Sequence, residues 1–221
     1  MSNVLAIGDT HAPAMKKGYP QWCRDIYDAW DCDTVVMMGD LVDNCALSFH
    51  LKKPCLKDPN REWDRALEQI EEITTLFPEA HLLIGNHDAL PYRLCDELGI
   101  PTDMMKSFGD MFELPDAWTV TERFGQVIID DIIYQHGDRG RGSARLNMQQ
   151  EMKSVVQGHH HSKFSIEGAA NQREYTYGMQ VGCGVDWKHM SMEYGVKFNQ
   201  KPILGCGVVI DGHPYLERWV Y

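Results

Sequence analysis

The chain has 221 residues, of which 43% are hydrophobic and 24% charged, and its formal net charge is −11 at pH 7. This length and composition are typical of a globular protein, and we expect a single domain over residues 1–221. No apolar run approaches the roughly 18 residues of a membrane span, and no basic segment opens a signal peptide, so we expect no membrane association. The negative charge disfavours broad neutralisation of long nucleic acids, although a short single strand needs only a local basic groove.

The first half of the chain alternates short apolar runs with amphipathic patterns. The runs predict strands at residues 4–7, 34–38 and 82–84, and the spacing of apolar residues predicts helices over 20–30, 61–77 and 90–98. A β-α-β-α-β order is typical of a parallel sheet with helices packed against it.

From about residue 117 helical spacing becomes scarce, apart from a predicted helix over 143–153. Strands are predicted at residues 117–121, 127–135, 154–158, 163–167, 174–181, 206–211 and 214–220. Asp211-Gly212 is typical of a hairpin turn between the last two strands. We therefore expect an α/β protein in which a second sheet, mixed or antiparallel, packs on the first.

The cysteines indicate the redox compartment. The chain has seven, an odd number, and none are spaced as C-x-x-C. This pattern favours reduced thiols in a cytosol-like compartment over a disulfide framework, and we expect a cytoplasmic protein.

Polar clusters follow the predicted strands at five places. These clusters are Gly8–His11, Gly39-Asp40, Gly85–Asp88, His136–Asp138 and Gly158–His161. The carboxyl ends of strands in an α/β sheet are where ligands bind, so the clusters are expected to converge on one crevice. In extended chain, residues two apart point the same way, and this spacing separates Asp9 from His11 and His159 from His161.

The clusters supply two carboxylates, one amide oxygen and four imidazoles as candidate metal ligands: Asp9, His11, Asp40, Asn86, His136, His159 and His161. One ion rarely needs seven such ligands, whereas two ions that share a carboxylate would use them all. Asp40 is our candidate for the bridge because it is the lone ligand of its cluster. Between ions about 3.5–4 Å apart, a bridging hydroxide can attack a phosphate ester near neutral pH.

In order, the clusters DTH, GD, GNHD, HG and GHHH resemble the five-block signature of the calcineurin-like metallophosphoesterases. The resemblance implies a four-layer α/β/β/α sandwich of two packed sheets. It also implies one metal held by Asp9, His11, Asp40 and His161, and a second held by Asp40, Asn86, His136 and His159. An imidazole-rich mixed site suits manganese, iron, zinc, cobalt or nickel better than magnesium, and manganese is the metal that we expect.

The same resemblance implies a general acid. The histidine of GNHD, His87, would protonate the leaving oxygen, work that suits the pKa of imidazole. An acid three residues after the GD aspartate would orient it, and here that acid is Asp43, with Asp88 as a weaker candidate.

One position departs from the protein-phosphatase branch of the family. That branch has GDxVDRG, whose arginine grips the substrate phosphate, whereas this chain has Asn44 there. The departure puts phosphomonoester specificity in doubt. Arg139, Arg141 or Arg145 could supply a substrate-binding guanidinium group, or they could belong to a solvated loop.

The sequence thus favours a dinuclear metal-dependent phosphodiesterase that acts on a nucleotide or nucleic-acid-type ester. A phosphomonoesterase and a catalytically silent interaction module on the same fold are the alternatives. No site role is predicted for His50, His81, His189 or His213, and no motif is read in residues 163–205.

Overall fold

The computed structural model of the chain describes residues 1–48, 53–139, 142–195 and 199–220. The first sheet has six strands, in the spatial order β11 (His213–Arg218), β10 (Gly205–Ile210), β1 (Val4–Ile7), β2 (Thr34–Met37), β3 (Ala80–Leu83) and β4 (Trp118–Thr121). Strands β1 to β4 are parallel, and β10 is antiparallel to both β1 and β11. The parallel sheet predicted for the first half of the chain is confirmed.

Three predicted helices accompany these strands: α1 (Tyr19–Ala29), α2 (Pro59–Leu76) and α3 (Leu90–Leu98). The Asp58 side chain caps α2 by accepting from the backbone N–H groups of Asn60 and Arg61. Helix α3 ends at Gly99, whose φ of 69° is the left-handed conformation that glycine adopts without strain. A further short helix, α4 (Phe108–Met111), was not predicted because a single turn leaves no periodic pattern.

The outer face of the first sheet forms a hydrophobic core with α1 and α2. Leu5 and Leu82 of the sheet are fully buried against Tyr19 of α1 and Ile70 of α2, in one contiguous apolar cluster. Burial of such side chains stabilises a fold by about 1.5–3 kcal/mol each. This packing holds the parallel strands, and therefore their carboxyl ends, in register.

The second sheet has the spatial order β5 (Val127–Ile129), β6 (Ile132–Gln135), β7 (Val155–Gln157), β9 (Tyr175–Val181) and β8 (Phe164–Ala170). The three central strands are parallel and the two edge strands antiparallel, so the mixed sheet is confirmed. Ala6 and Val36 of the first sheet pack with Val156 and Met179 of the second.

Helix α5 (Ala144–Glu151) covers the other face of the second sheet, where Met148 packs on Ile133 and Val155. The layers therefore run helix, sheet, sheet, helix, and the four-layer α/β/β/α sandwich is confirmed. Within the described ranges, no helix combines the length and the apolar composition that crossing a bilayer requires.

The assignment of strands to sheets needs one correction. The segments predicted at 117–121, 206–211 and 214–220 were expected in the second sheet, but they form β4, β10 and β11 of the first. Strand β10 pairs with β1 from the far end of the chain, with Val209 opposite Val4. Local periodicity reports burial of a strand and does not identify its neighbour.

The strand predicted over 127–135 is also wrong, because it is a hairpin. Asp130 and Asp131 have φ values of 50° and 66° and form the two-residue turn between β5 and β6. Such turns require positive φ at both positions, which aspartate tolerates better than most residues. At the other predicted turn, Asp211-Gly212, the hairpin between β10 and β11 is confirmed.

Candidate metal centre

The seven predicted ligands meet where β1, β2, β3, β6 and β7 end. Ligand atoms of Asp9, His11, Asp40 and His161 lie within 4.8 Å of one another, and so do those of Asp40, His136 and His159. Asn86 adjoins the second group, with its Oδ1 3.2 Å from His136 Nε2. Asp40 is the residue that both groups share.

In the first group, ring nitrogens face acceptors. His11 Nε2 lies 3.1 Å from His161 Nε2 and 3.5 Å from Asp40 Oδ2, while His161 Nε2 lies 3.0 Å from Asp9 Oδ2. His11 Nδ1 donates to the carboxylate of Asp43 at 3.0 Å, which leaves Nε2 of the neutral ring with a lone pair. That lone pair therefore faces negatively charged oxygen and a second imidazole.

The second group repeats this arrangement. His136 Nδ1 donates to the carbonyl oxygen of Met38 at 2.8 Å, so Nε2 of the neutral ring again carries the lone pair. It faces Asn86 Oδ1 and, at 3.4 Å, Asp40 Oδ2. Acceptors that converge in a buried site repel one another unless a cation lies between them. The donor sets of both groups therefore fit metal ions.

The pKa values of the site also indicate that its carboxylates stabilise a nearby positive charge. Burial alone would lower the pKa of His136, but Asp40 and Asp9 raise it to about 10. Burial would raise the pKa of Asp40, but the neighbouring histidines, His136 foremost, hold it well below its usual range. The buried carboxylate thus stays ionised and attracts a cation, whether a proton on imidazole or a metal.

An unusual backbone conformation sets the side-chain direction of three of the ligands. His11, Asp40 and His159 have φ values of 50°, 49° and 65°, in the left-handed region. Each such residue costs roughly 1 kcal/mol or more, and this kind of strain concentrates at functional sites. The backbone turns at His11 and at His159, so the chain is not extended there, but Asp9 and His11 still lie in one ligand group, as expected. The turn places His159 and His161 in different ligand groups.

Two glycines make room for the carboxylates. A Cβ atom on Gly85 would lie 2.2 Å from Asp40 Oδ1, and one on Gly158 would lie 2.3 Å from Asp9 Oδ1. Only glycine allows backbone and carboxylate to approach so closely. The glycines of GNHD and GHHH are thus explained by contact rather than by φ.

Gly85→Ala is expected to weaken metal binding at least about 10-fold, because the added methyl group must displace the Asp40 carboxylate. Titration of the metal-free protein with Mn²⁺ measures the effect. Gly109→Ala is the control, since the nearest atom to its Cβ is 4.0 Å away. Equal affinity in the two variants would contradict the expectation.

His87 lies beside the two groups. Its backbone N–H donates to Asp40 Oδ1 at 2.7 Å, and its ring nitrogen Nδ1 lies 2.7 Å from the carbonyl oxygen and 3.3 Å from Oδ1 of Asp43. Burial would lower the pKa of His87, but Asp43 and Asp40 raise it to about 10. The ring is held through Nδ1, and Nε2 remains available to donate a proton.

Hydrogen bonds from Asn44 and to Asp88 hold the loop that carries His87, and the sequence did not predict either role. Asn44 donates from Nδ2 to the carbonyl oxygen of His87 at 2.9 Å. The buried carboxylate of Asp88 accepts from the backbone N–H groups of Val42 and Gly85, at 3.0 and 2.9 Å, and so joins the loops after β2 and β3. Asp43, rather than Asp88, is the acid that contacts the His87 ring.

Two of the three predicted substrate-binding arginines have partners outside the ligand groups. Arg139 donates to the carbonyl oxygen of Phe124 at 3.3 Å, and the exposed Arg145 lies 3.4 Å from Glu167 Oε2. Arg141 lies outside the described residues. Over the described ranges, neither Arg139 nor Arg145 hydrogen-bonds to a residue of the two ligand groups. Their role toward substrate stays a prediction.

Several solved structures resemble the chain. A single mutant of Vps29 from Entamoeba histolytica is 17% identical over 98% of each chain, with a TM-score of 0.45. Vacuolar Protein Sorting 29 from Cryptosporidium parvum is 15% identical over 98% of this chain and 95% of its own, with a TM-score of 0.45. Yfce, a phosphoesterase from E. coli, is 12% identical over 95% and 88%, with a TM-score of 0.42. Likenesses this distant say nothing of what this chain does.

The chain was also compared with curated proteins and with models of protein families. No curated protein has significant sequence similarity to the chain. The model of the calcineurin-like phosphoesterase family, however, matches residues 2–194, a range that includes all five polar clusters. The chain therefore belongs to the calcineurin-like phosphoesterase family.

Proposed function

We propose that this protein is a dinuclear metal-dependent phosphodiesterase acting on a nucleotide or nucleic-acid-type ester. The observation that carries the proposal is the position of Asp40, whose carboxylate belongs to both ligand groups. A shared carboxylate is what two adjacent ions need. Family membership supports phosphoester chemistry, and the site supports two ions.

One ion would be held by Asp9, His11, Asp40 and His161, and the other by Asp40, Asn86, His136 and His159. When bound, such ions supply positive charge to the phosphate oxygens and make a water molecule acidic enough to attack phosphorus. Manganese is the proposed metal, with iron, zinc, cobalt and nickel as alternatives, because a site that mixes imidazole nitrogens with carboxylate and amide oxygens suits these ions better than magnesium.

His87 supplies the acid. Its ring is anchored at Nδ1 by Asp43, and its raised pKa keeps the second nitrogen protonated at neutral pH. A proton from Nε2 would neutralise the leaving oxygen as the P–O bond breaks. Asp43, buried against both His11 and His87, fixes the direction of that proton.

The preference for a diester has an electrostatic basis. A phosphomonoester is close to a dianion at neutral pH, because its second pKa is about 6, whereas a diester carries a single charge. The guanidinium group that grips monoesters in the protein-phosphatase branch is replaced by Asn44, whose amide is occupied by His87. Arg139 and Arg145 have other partners. Among the residues that the structure describes, Asn44, Arg139 and Arg145 therefore supply no free guanidinium group for a monoester dianion.

For protein reconstituted with Mn²⁺, kcat/KM is expected to be at least about 10-fold higher for bis-p-nitrophenyl phosphate than for p-nitrophenyl phosphate, the scale of one missing charged hydrogen bond. Initial rates of p-nitrophenol release measure both. Efficient monoester cleavage with an intact diester would contradict the proposal, and phosphate release from a phosphopeptide panel would then favour a phosphomonoesterase.

A catalytically silent interaction module is distinguished by its metal content. All seven predicted ligands are present, and their geometry fits cations, which disfavours a decayed site. Elemental analysis well below one metal per chain, together with no hydrolysis of any ester, would instead favour the module.

The cysteines bear on the compartment. All seven are free thiols, and most are buried in apolar surroundings. Free thiols persist in a reducing compartment, which supports our proposal of a cytoplasmic enzyme.

A further inference from the structure

A small cavity whose wall carries two arginines and two acids lies beside the candidate metal centre. It is lined by Arg61 and Arg65 of α2, by His189 from the segment after β9, and by Pro13, with a volume of about 60 Å³. A cavity of this size holds a few water molecules or one small anion and is too small for a nucleobase. Nothing in the proposed catalytic role of Asp40 or His87 requires it.

Three observations place the cavity on the Asp43 side of the metal centre. Pro13, in its wall, follows His11 by two residues. Glu62, also in its wall, accepts from the backbone N–H groups of Cys45 and Ala46, which directly follow Asp43-Asn44. Burial lowers the pKa of His189 while the Asp43 carboxylate opposes that shift, so these two side chains are within electrostatic reach.

The acids in the cavity wall have hydrogen-bond partners, whereas its two arginines form no ion pair with a carboxylate of the described residues. The two acids in its wall are bound to backbone donors, Asp58 as the cap of α2 and Glu62 on the loop after β2. Over the described residues, by contrast, no hydrogen bond or ion pair joins the guanidinium group of Arg61 or Arg65 to a carboxylate. Both guanidinium groups are therefore available to an anion.

Their spacing points to the same conclusion. Arg61 and Arg65 are four residues apart on α2, hence on one face of the helix. Like charges at this spacing slightly destabilise a helix, so the stability of α2 does not account for the pair. Two guanidinium groups on one face match the oxygens of a phosphate.

His189 adds a neutral donor. The backbone N–H of Ser191 donates to His189 Nδ1 at 3.3 Å, and the Ser191 hydroxyl lies 2.9 Å from the same atom. A ring that accepts at Nδ1 carries its proton on Nε2. The cavity wall thus offers one N–H donor besides the two cations.

We propose that Arg61, Arg65 and His189 bind a second phosphate of the substrate. This inference rests on the proposed function and narrows it: the preferred ester is a nucleotide-type phosphodiester that carries another phosphate beside the one cleaved. The small volume accepts a phosphate group and excludes a base, so the subsite selects for charge and not for base sequence.

The test compares two esters that differ only in that second phosphate: thymidine 3′-phosphate 5′-(p-nitrophenyl phosphate) and thymidine 5′-(p-nitrophenyl phosphate). In the Arg61→Gln/Arg65→Gln variant, KM for the first ester is expected to rise about 10–100-fold at nearly unchanged kcat, the effect of losing charged hydrogen bonds. KM for the second ester should change less than about 2-fold. The control is Arg173→Gln/Arg218→Gln, which removes two exposed arginines and the same charge.

A binding measurement separates this proposal from the proposed function. Calorimetry with thymidine 3′,5′-bisphosphate should show affinity about 10–100-fold weaker in the variant than in the wild type, with no such loss for thymidine 5′-monophosphate. If the wild-type protein hydrolyses neither ester, the proposed function fails, and calorimetry still decides the subsite. Equal effects on both thymidine compounds, or no effect, would overturn it. A further contrary result concerns inorganic phosphate and thymidine 5′-(p-nitrophenyl phosphate). If phosphate stimulates hydrolysis of this ester by the wild type and not by the Arg61→Gln/Arg65→Gln variant, the cavity binds a free anion and not a second phosphate of the substrate.

Discussion

Asp40→Ala is expected to abolish the binding of both metal ions and to lower phosphodiester hydrolysis by more than about 100-fold. Residues that merely support metal ligands already account for 10–100-fold in affinity or activity, and Asp40 contributes to both ligand groups. Its loss also leaves His136 Nε2 without the carboxylate that now faces it at 3.4 Å. Neither ion would then retain a complete set of ligands.

Metal content of the Asp40→Ala variant is measured by elemental analysis after reconstitution, and folding by far-UV circular dichroism. Thermal unfolding adds a second readout, because a bound metal raises the Tm of the wild type by mass action and should not raise that of the variant. Asp25→Ala, which removes an exposed carboxylate of α1, is the matched control. A folded variant that still binds two ions would show that Asp40 is not the bridge.

His87→Ala is expected to keep the metal content of the wild type and to lower kcat by about 10²–10⁴-fold, the usual range for the loss of a general acid. The structural reason is that His87 contributes to neither of the two ligand groups around Asp40, while Asp43 anchors its ring at Nδ1. The loss should shrink for esters whose leaving group needs no proton. A series of diesters with leaving groups of increasing pKa tests this dependence.

His213→Ala serves as control for this variant, since His213 is exposed at the start of β11. Full activity of His87→Ala on a poor leaving group would refute the assigned role. Loss of metal would do the same, because it would make His87 a ligand. The substitution His87→Asn provides a second, less disruptive variant with the same expected kinetics.

Much of the site could be predicted from the sequence because each ligand follows a strand whose pattern is local. The run Val4–Ile7 predicts β1, and the cluster after it supplies Asp9 and His11. The same reasoning applies to Asp40 after β2 and to His136 after β6. Ligands bind at the carboxyl ends of strands, so these residues were expected to converge, and they do so from both sheets.

The hydrogen bonds of Asn44 and Asp88 near His87 could not be predicted in this way. Asn44 was noted as a departure from a motif, yet its hydrogen bond to the carbonyl oxygen of His87 depends on a left-handed backbone, with φ of 49°. Asp88 was expected, at most, to orient His87, but it accepts two backbone N–H groups from different loops. Nothing in a sequence pattern distinguishes an acid that binds a ring from one that binds backbone.

The cavity lined by Arg61, Arg65 and His189 could be predicted even less. His189 had no predicted role, and Arg61 and Arg65 lie in a helix that reads as an ordinary amphipathic segment. More than a hundred residues separate them along the chain, and only the packing of the segment after β9 against the loop after β1 brings them together. No local signal precedes such a contact.

The sequence by itself determined most of the order of strands and helices and the identity of the residues that meet at the strand ends. Those features follow from side-chain periodicity and turn chemistry, which operate over a few residues. Only the tertiary structure decided that β4, β10 and β11 belong to the first sheet, that Asn44 donates to the carbonyl oxygen of His87, and that Arg61 and His189 line one cavity. Each of these depends on strand pairing, backbone conformation or packing between distant segments, and their free energies are set by the whole fold rather than by any one stretch of chain.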